Sequence, residues 1–159
     1  MNNKFFASVL SSFGKRIGIP ELCLDEQNQC MLQVNDVVFN LQWTEKTETL
    51  LLYAPVGKLD KNCHAEVYRR LLAANCLGAE TDGFQLGLED SLDILMLSGQ
   101  FTLPAINDNQ LEGCIRALVA AASKWTNKVA RLTSAQQGKQ DARDVFNKED
   151  IPSQCFLRV

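Results

Sequence analysis

Histidine is almost missing from this chain: there is one, His64, in 159 residues. A Ser-His-Asp or Cys-His nucleophile would have to be assembled around it, and nothing near it in the sequence is patterned for that. Its neighbour Cys63 does not help, because adjacent helical residues point about 100° apart and do not converge on one metal. His64 reads as a solvent-facing polar residue in the first turn of a helix. No CxxC pair occurs among Cys23, Cys30, Cys63, Cys76, Cys114 and Cys155, which leaves zinc-ribbon and thioredoxin-type sites without support. The stretch GAETDGFQLG has glycines but lacks the strand-turn-helix context of a phosphate loop. Asp90 and Asp93 flank a short turn, where aspartate is common for turn reasons. The expectation is a protein that is not an enzyme, with no catalytic residue, metal ligand or cofactor.

Concentrated positive charge is also lacking. Lysine and arginine number 16 against 19 acids, for a net charge of −3. The longest basic runs are the pairs Lys15-Arg16 and Arg69-Arg70. Nucleic acid needs a basic stripe, and an anionic membrane surface asks for the same, so neither is an expected partner. No apolar run reaches the roughly 18 residues of a membrane span. The short run FFASVL is followed, not preceded, by its positive charges, unlike a signal peptide. The cysteines are therefore expected to be reduced thiols in a cytoplasmic protein, most of them packing as small hydrophobes.

What the sequence does have is patterned apolar surface. Apolar residues make up 46% and charged residues 22%, ordinary globular usage with enough for one core. Residues 4–17 form an amphipathic helix, with Phe5, Phe6, Val9, Leu10, Phe13 and Ile17 at helical spacing and Gly18 and Pro20 to stop it. Strands are expected at 22–24, at 30–34 with Cys30, Leu32 and Val34 on one face, and at 37–43 after an Asn35-Asp36 turn. A fourth strand covers 50–54, ended by Pro55 and Gly57. A helix over 61–77 follows, capped by Asp60 or Asn62, with Val67, Leu71, Ala74 and the neighbouring Tyr68 and Leu72 on its buried side and Gly78 as its stop. Two further strands carry Phe84, Leu86 and Leu88, then residues 92–97. The last of these is apolar on both faces, Leu92, Ile94 and Met96 against Leu95 and Leu97.

The clearest signal is the final helix. Leu111, Ile115, Leu118, Ala122, Trp125, Val129 and Leu132 repeat with a mean period of about 3.5, an a/d seam. Asn109 and Glu112 form a capping box at its start. The order α-β-β-β-β-α-β-β-α is an α+β fold with a twisted antiparallel sheet flanked by helices. One domain is expected over 1–135, followed by a polar, flexible tail over 136–159 that closes on CFLRV. The long seam and the strand apolar on both faces exceed what one small sheet covers, so a homodimer is expected. Its interface candidates are Leu92, Ile94, Met96, Leu71 and Trp125, with the choice among strand, last helix and second helix left open.

Several stretches taken together resemble one family. They are FGKRIGI, LCLDE, QCMLQV, LLLYAPVGKL, RRLLAAN, GFQLGLEDSLDILMLSGQF and LEGCIRALVAAASKW, within residues 4–132. In this order they resemble the class I type III secretion chaperones, the Tir-chaperone family. The resemblance implies a non-enzymatic homodimer of the bacterial cytoplasm. It would bind the N-terminal region of one or more secreted effector proteins in extended form, keep it secretion-competent and hand it to the export ATPase. A regulatory member of the same fold, sequestering a small secreted regulator to control transcription, is the alternative; a small enzyme or ligand-binding domain is a third. Phe5, Phe6, Val9 and Phe13 on the first helix, with Leu22, Leu24, Leu32 and Val34 on the first strands, are the candidate effector-binding residues. An extended partner pairs with a sheet edge and uses such side chains as pockets.

The cysteine reading is testable at once. Adding reductant should move the melting temperature by no more than about a degree, whereas breaking a structural disulfide removes roughly 2–4 kcal/mol and several degrees.

Overall fold

The structure is a computed structural model that describes the backbone of residues 3–102 and 108–149, with side chains over 5–102 and 109–134. Alternation writes the sheet. Val37, Phe39, Leu41 and Trp43 are buried along β2 (Val37–Thr44), while Val38, Asn40 and Gln42 alternate onto the other face. Leu50, Leu52, Ala54 and Val56 do the same along β3 (Thr49–Lys58). With β1 (Gln29–Val34), β4 (Gln85–Glu89) and β5 (Ile94–Thr102) they form one antiparallel sheet in the order β1-β2-β3-β5-β4. The register pairs Trp43 with Leu50 and Leu52 with Gly99, which puts the buried residues on a common face. The α+β class and the antiparallel sheet flanked by helices are as expected.

Two helices close that face. α1 (Asn3–Arg16) buries Phe6, Val9, Leu10 and Phe13, and the Phe6 ring stacks on Trp43 with centroids 4.7 Å apart. α3 (Asp108–Glu149) packs chiefly across β3 and also meets α1, β2 and β5. Leu111, Ile115, Leu118, Ala122, Trp125 and Val129 are all buried within the protomer, so the seam faces this chain's own sheet. Ala121 joins that line, and its small side chain allows close approach. α2 (Ala65–Asn75) lies beside β4 and buries Val67, Leu71 and Ala74.

Local chemistry moved several boundaries. Residues 22–24 form no strand, so three strands precede α2 rather than four. Leu22 N–H bonds to the Ile19 carbonyl in a turn, and the Leu22 side chain is buried at Gly14, where the chain passes too close for any Cβ. β3 runs through Pro55 and Gly57 instead of ending there. Its ladder with β2 stops at Tyr53, so the missing Pro55 N–H falls on an unpaired side, and a bulge absorbs the irregularity opposite β5. The cap of α2 is His64, whose Nδ1 accepts from Glu66 N–H at 3.2 Å. Asp60 instead accepts from Asn62 N–H at 2.7 Å, in the turn before the helix. α2 stops at Asn75, and a single 3-10 turn, Cys76–Gly78, follows with Leu77 and Gly78 at positive φ.

Residues 136–149, expected as flexible tail, continue α3, which is 42 residues long and so about 63 Å at 1.5 Å per residue. No proline interrupts the sequence between Thr133 and Ile151, and glycine appears there once, so propensity alone favours continuation. The CFLRV segment and Cys155 lie outside the described residues.

The crossing of α3 over β3 is tightest at Gly57. A Cβ there would sit 2.6 Å from Cγ1 of Val129. Gly57→Ala should therefore cost about 1–3 kcal/mol through forced repacking, a drop of several degrees in melting temperature. Gly87→Ala, where a Cβ meets nothing within 4 Å, is the matched control and should melt within about a degree of the parent.

Candidate protein-interaction site

The two edges of the sheet are chemically different. In β1 the pairing parity follows from the two-residue turn of Asn35 and Asp36, which makes Val34 and Val37 a hydrogen-bonded pair. The bond from Trp43 N–H to the Asn28 carbonyl, 2.9 Å, continues the same parity beyond the strand. Cys30, Leu32 and Val34 thus spend their backbone groups on β2, and Gln29, Met31 and Gln33 point theirs outward. At Gln29 the outward groups are taken. Asp25 N–H donates to its carbonyl and the Asp25 carboxylate accepts its N–H, both at 2.8 Å. The outward groups of Met31 and Gln33 remain, and β1 is the terminal strand with no strand beyond it among the described residues. Asp25 also accepts Gln27 N–H at 2.8 Å, which fixes the loop that leads into this edge.

At the other edge, β4 is covered in part. The Asn75 side chain donates through Nδ2 to the Leu86 carbonyl and accepts Leu86 N–H on Oδ1, each at 2.8 Å. One amide side chain thus reproduces a strand's pair of hydrogen bonds and occupies the outward groups of Leu86.

The candidate residues separate along this geometry. Phe6, Val9, Phe13 and Leu22 are buried beneath α1 and belong to the core. Phe5 and Val34 are exposed, and Leu24 and Leu32 are half-buried at the core's margin. Leu32 and Val34 lie on the open β1 strand itself, Leu24 in the segment that leads into it, and Phe5 on α1. Sequence reasoning missed Met31, 70% exposed on the outer face of the same strand; its position between Cys30 and Leu32 in an alternating run was the available signal.

Among the interface candidates, Leu71 and Trp125 are buried within the protomer, at 6% and 1% exposure, and offer no surface to a partner. Both were drawn in by helical periodicity, which reports burial but not by what. Leu92 lies exposed in the β4–β5 turn, and Ile94 and Met96 are half-buried on the outer face of β5, so that strand is covered on one side only. Leu72, expected on the buried side of α2, is instead 71% exposed, and Leu77 in the following turn and Leu88 on β4 are exposed nearby, Leu77 almost completely.

A cavity of about 430 Å³ lies between the first turns of α3 and the ends of β4 and β5, lined by Phe84, Phe101, Gly113 and Cys114 among others. Burial pushes the Cys114 thiol up, as it does Cys63 and Cys30, where Cys23 and Asp25 add to the effect. Such thiols stay protonated and are poor nucleophiles. No group of three His, Cys, Asp or Glu side chains among the described residues is placed to hold a metal. No helix there is long and apolar enough to cross a membrane.

The division of the phenylalanines is directly testable. Phe6→Ser should destabilise by at least about 3–5 kcal/mol, and Phe5→Ser by less than about 1 kcal/mol, as read by urea denaturation.

Comparison with known proteins agrees with this architecture. The model of the Tir chaperone protein (CesT) family matches residues 8–126. Among solved structures, the ExsC protein complex with ExsE matches with a TM-score of 0.70 and 24% identity, over 79% of this chain and 93% of that one. The HopA1-SchA chaperone-effector complex matches at 0.69 and 19% identity, over 80% and 97%. The Yersinia pestis type III secretion chaperone SycH, solved with a fragment of YscM2, matches at 0.59 and 19%, over 76% and 98%. No curated protein sequence matches the chain.

Proposed function

The chain belongs to the Tir chaperone protein (CesT) family, and from that premise we propose that it is a type III secretion chaperone of the bacterial cytoplasm. It holds the N-terminal region of one or more effectors in extended form at the β1 edge and hands it to the export ATPase. The single observation that carries the site is the contrast between the edges. Met31 and Gln33 present unpaired backbone groups beside Leu24, Leu32 and Val34, while on β4 Asn75 occupies the outward groups of Leu86. An added strand gains affinity from main-chain hydrogen bonds and specificity from alternate side chains. The chemistry is binding, not catalysis.

The working unit is a homodimer. Leu72, Leu77, Leu88 and Leu92 expose apolar surface around α2 and the β4–β5 hairpin, with Ile94 and Met96 half-covered beside them. A contiguous patch of this kind marks a protein contact, and a two-fold axis would bury it against itself.

A second reading, a regulator that sequesters a small secreted protein, is favoured by the likeness to ExsC bound to ExsE. Co-purification from the native bacterium separates the two: a large effector supports the chaperone, a small secreted regulator the alternative. The site itself is tested by Gln33→Pro, which removes an outward N–H where an edge strand tolerates proline. Partner binding should fall at least about tenfold, one lost pairing step being worth roughly 1.4 kcal/mol, with circular dichroism unchanged. For the dimer, Leu72→Glu with Leu77→Glu should shift the light-scattering mass toward the 17.7 kDa protomer; an unchanged dimer would place the seam elsewhere.

A further inference from the structure

The stretch of chain that builds the β1 edge carries charge of one sign. Residues 17–45 contain five acids, Glu21, Asp25, Glu26, Asp36 and Glu45, and no lysine or arginine, in a chain that has 16 such bases. The fold gathers this stretch at one place. Glu21, Asp25 and Glu26 lie in the segment that leads from α1 into β1, and Glu21 and Glu26 are exposed. Asp36 forms the turn at the far end of the strand, and Glu45 follows β2 at the near end, where Asn28 faces Trp43. The bases that adjoin this stretch do not neutralise it from within. Arg16 is engaged by Asn109 and Glu112 of α3, Lys15 lies a residue further back on α1, and Lys46 sits in the β2–β3 turn. Asp25 keeps its carboxylate turned onto Gln27 and Gln29 N–H, so its charge is held at the mouth of the edge.

From this we infer that the segment captured at the β1 edge is a basic one: an extended strand with alternating apolar residues that pack on Leu24, Leu32 and Val34, flanked by lysines or arginines that face Glu21, Glu26 and Asp36. The inference rests on the β1 edge as binding site and deepens it by naming the partner's charge. The apolar margin and the two free residues of the edge, Met31 and Gln33, supply a short adhesive strip. A strip that short pairs with many sequences, and the acids at both ends give it selection. They attract a basic segment during encounter and oppose an acidic one. Met31 lies on the other face of the strand, so a bound segment meets apolar surface on both sides of the edge.

The test uses the full chain and a displayed library of short random peptides. The retained sequences should show alternating apolar residues with an excess of lysine and arginine at their ends. Retained peptides should bind about tenfold more weakly to the triple variant Glu21→Gln, Glu26→Gln, Asp36→Asn, and about tenfold more weakly when NaCl is raised from about 0.05 M to about 0.5 M, where the screening length falls to a few ångströms. Their binding should be lost on Gln33→Pro. Peptides lost on Gln33→Pro that carry no basic excess and ignore the triple variant overturn the charge inference and leave the edge reading standing. Peptides that still bind the Gln33→Pro protein overturn the edge reading and the inference with it, as does a library from which the folded protein retains nothing.

Discussion

One antiparallel sheet with a single apolar face must find cover, and nearly everything else follows from how α3 supplies it. The helix crosses β3 at Gly57, where only a hydrogen leaves room for Val129. Its six seam residues then lie over Leu50, Leu52, Ala54 and Val56 and the flanking strands. Full burial of a large apolar side chain contributes roughly 1.5–3 kcal/mol, so this one interface accounts for much of the drive to fold. α1 covers what α3 leaves, with Phe6 flat against Trp43. Ion pairs such as Arg16 with Glu112, and Lys128 with Glu80, tie the margins together. They are solvent-exposed and worth under about 1 kcal/mol each; they set alignment more than stability.

Covering one face leaves two edges, and an open edge invites pairing with any extended chain. The molecule treats its edges unequally. At β4 an asparagine amide occupies the backbone of Leu86. At β1 the Asp25 loop takes only Gln29 and leaves Met31 and Gln33. The strand is six residues long, too short to template indiscriminate stacking, yet long enough to fix the register of a short partner segment. At the edge beside the exposed leucines a side chain stands in for a partner strand at Leu86, while at the edge beside the acids two successive outward residues, Met31 and Gln33, stay open.

The apolar surface around α2 completes the asymmetry. Leu72 and Leu77 point away from the core, although Leu72 directly follows Leu71, which belongs to it. Leu77 also sits at a φ of 57°, a conformation uncommon for a non-glycine residue that turns its side chain outward. An exposed leucine in such a backbone makes sense as an anchor for another molecule. The outward leucines are the surface on which the proposed homodimer rests.

Much was legible from the sequence, because periodicity is local. The alternation from Val37 to Trp43, the hairpin turn at Asn35 and Asp36, and the seam from Leu111 to Val129 needed only neighbouring residues to declare themselves. The family resemblance, carried by ordered apolar positions rather than by chemistry, was available for the same reason. What periodicity does not report is the identity of the covering surface. Leu71 and Trp125 were readable as buried, but only the fold shows that their own protomer buries them, and Phe5 and Phe6 share a pattern while one lies inside and the other out. The edges were further from reach. Inserting β5 between β3 and β4 makes β4 terminal, and only that order brings Asn75 to Leu86 across an intervening turn. The sequence by itself determined which faces are apolar; the tertiary structure alone decided which of them meet and which backbone groups stay open, because strand order and helix placement are set by contacts between segments far apart in the chain.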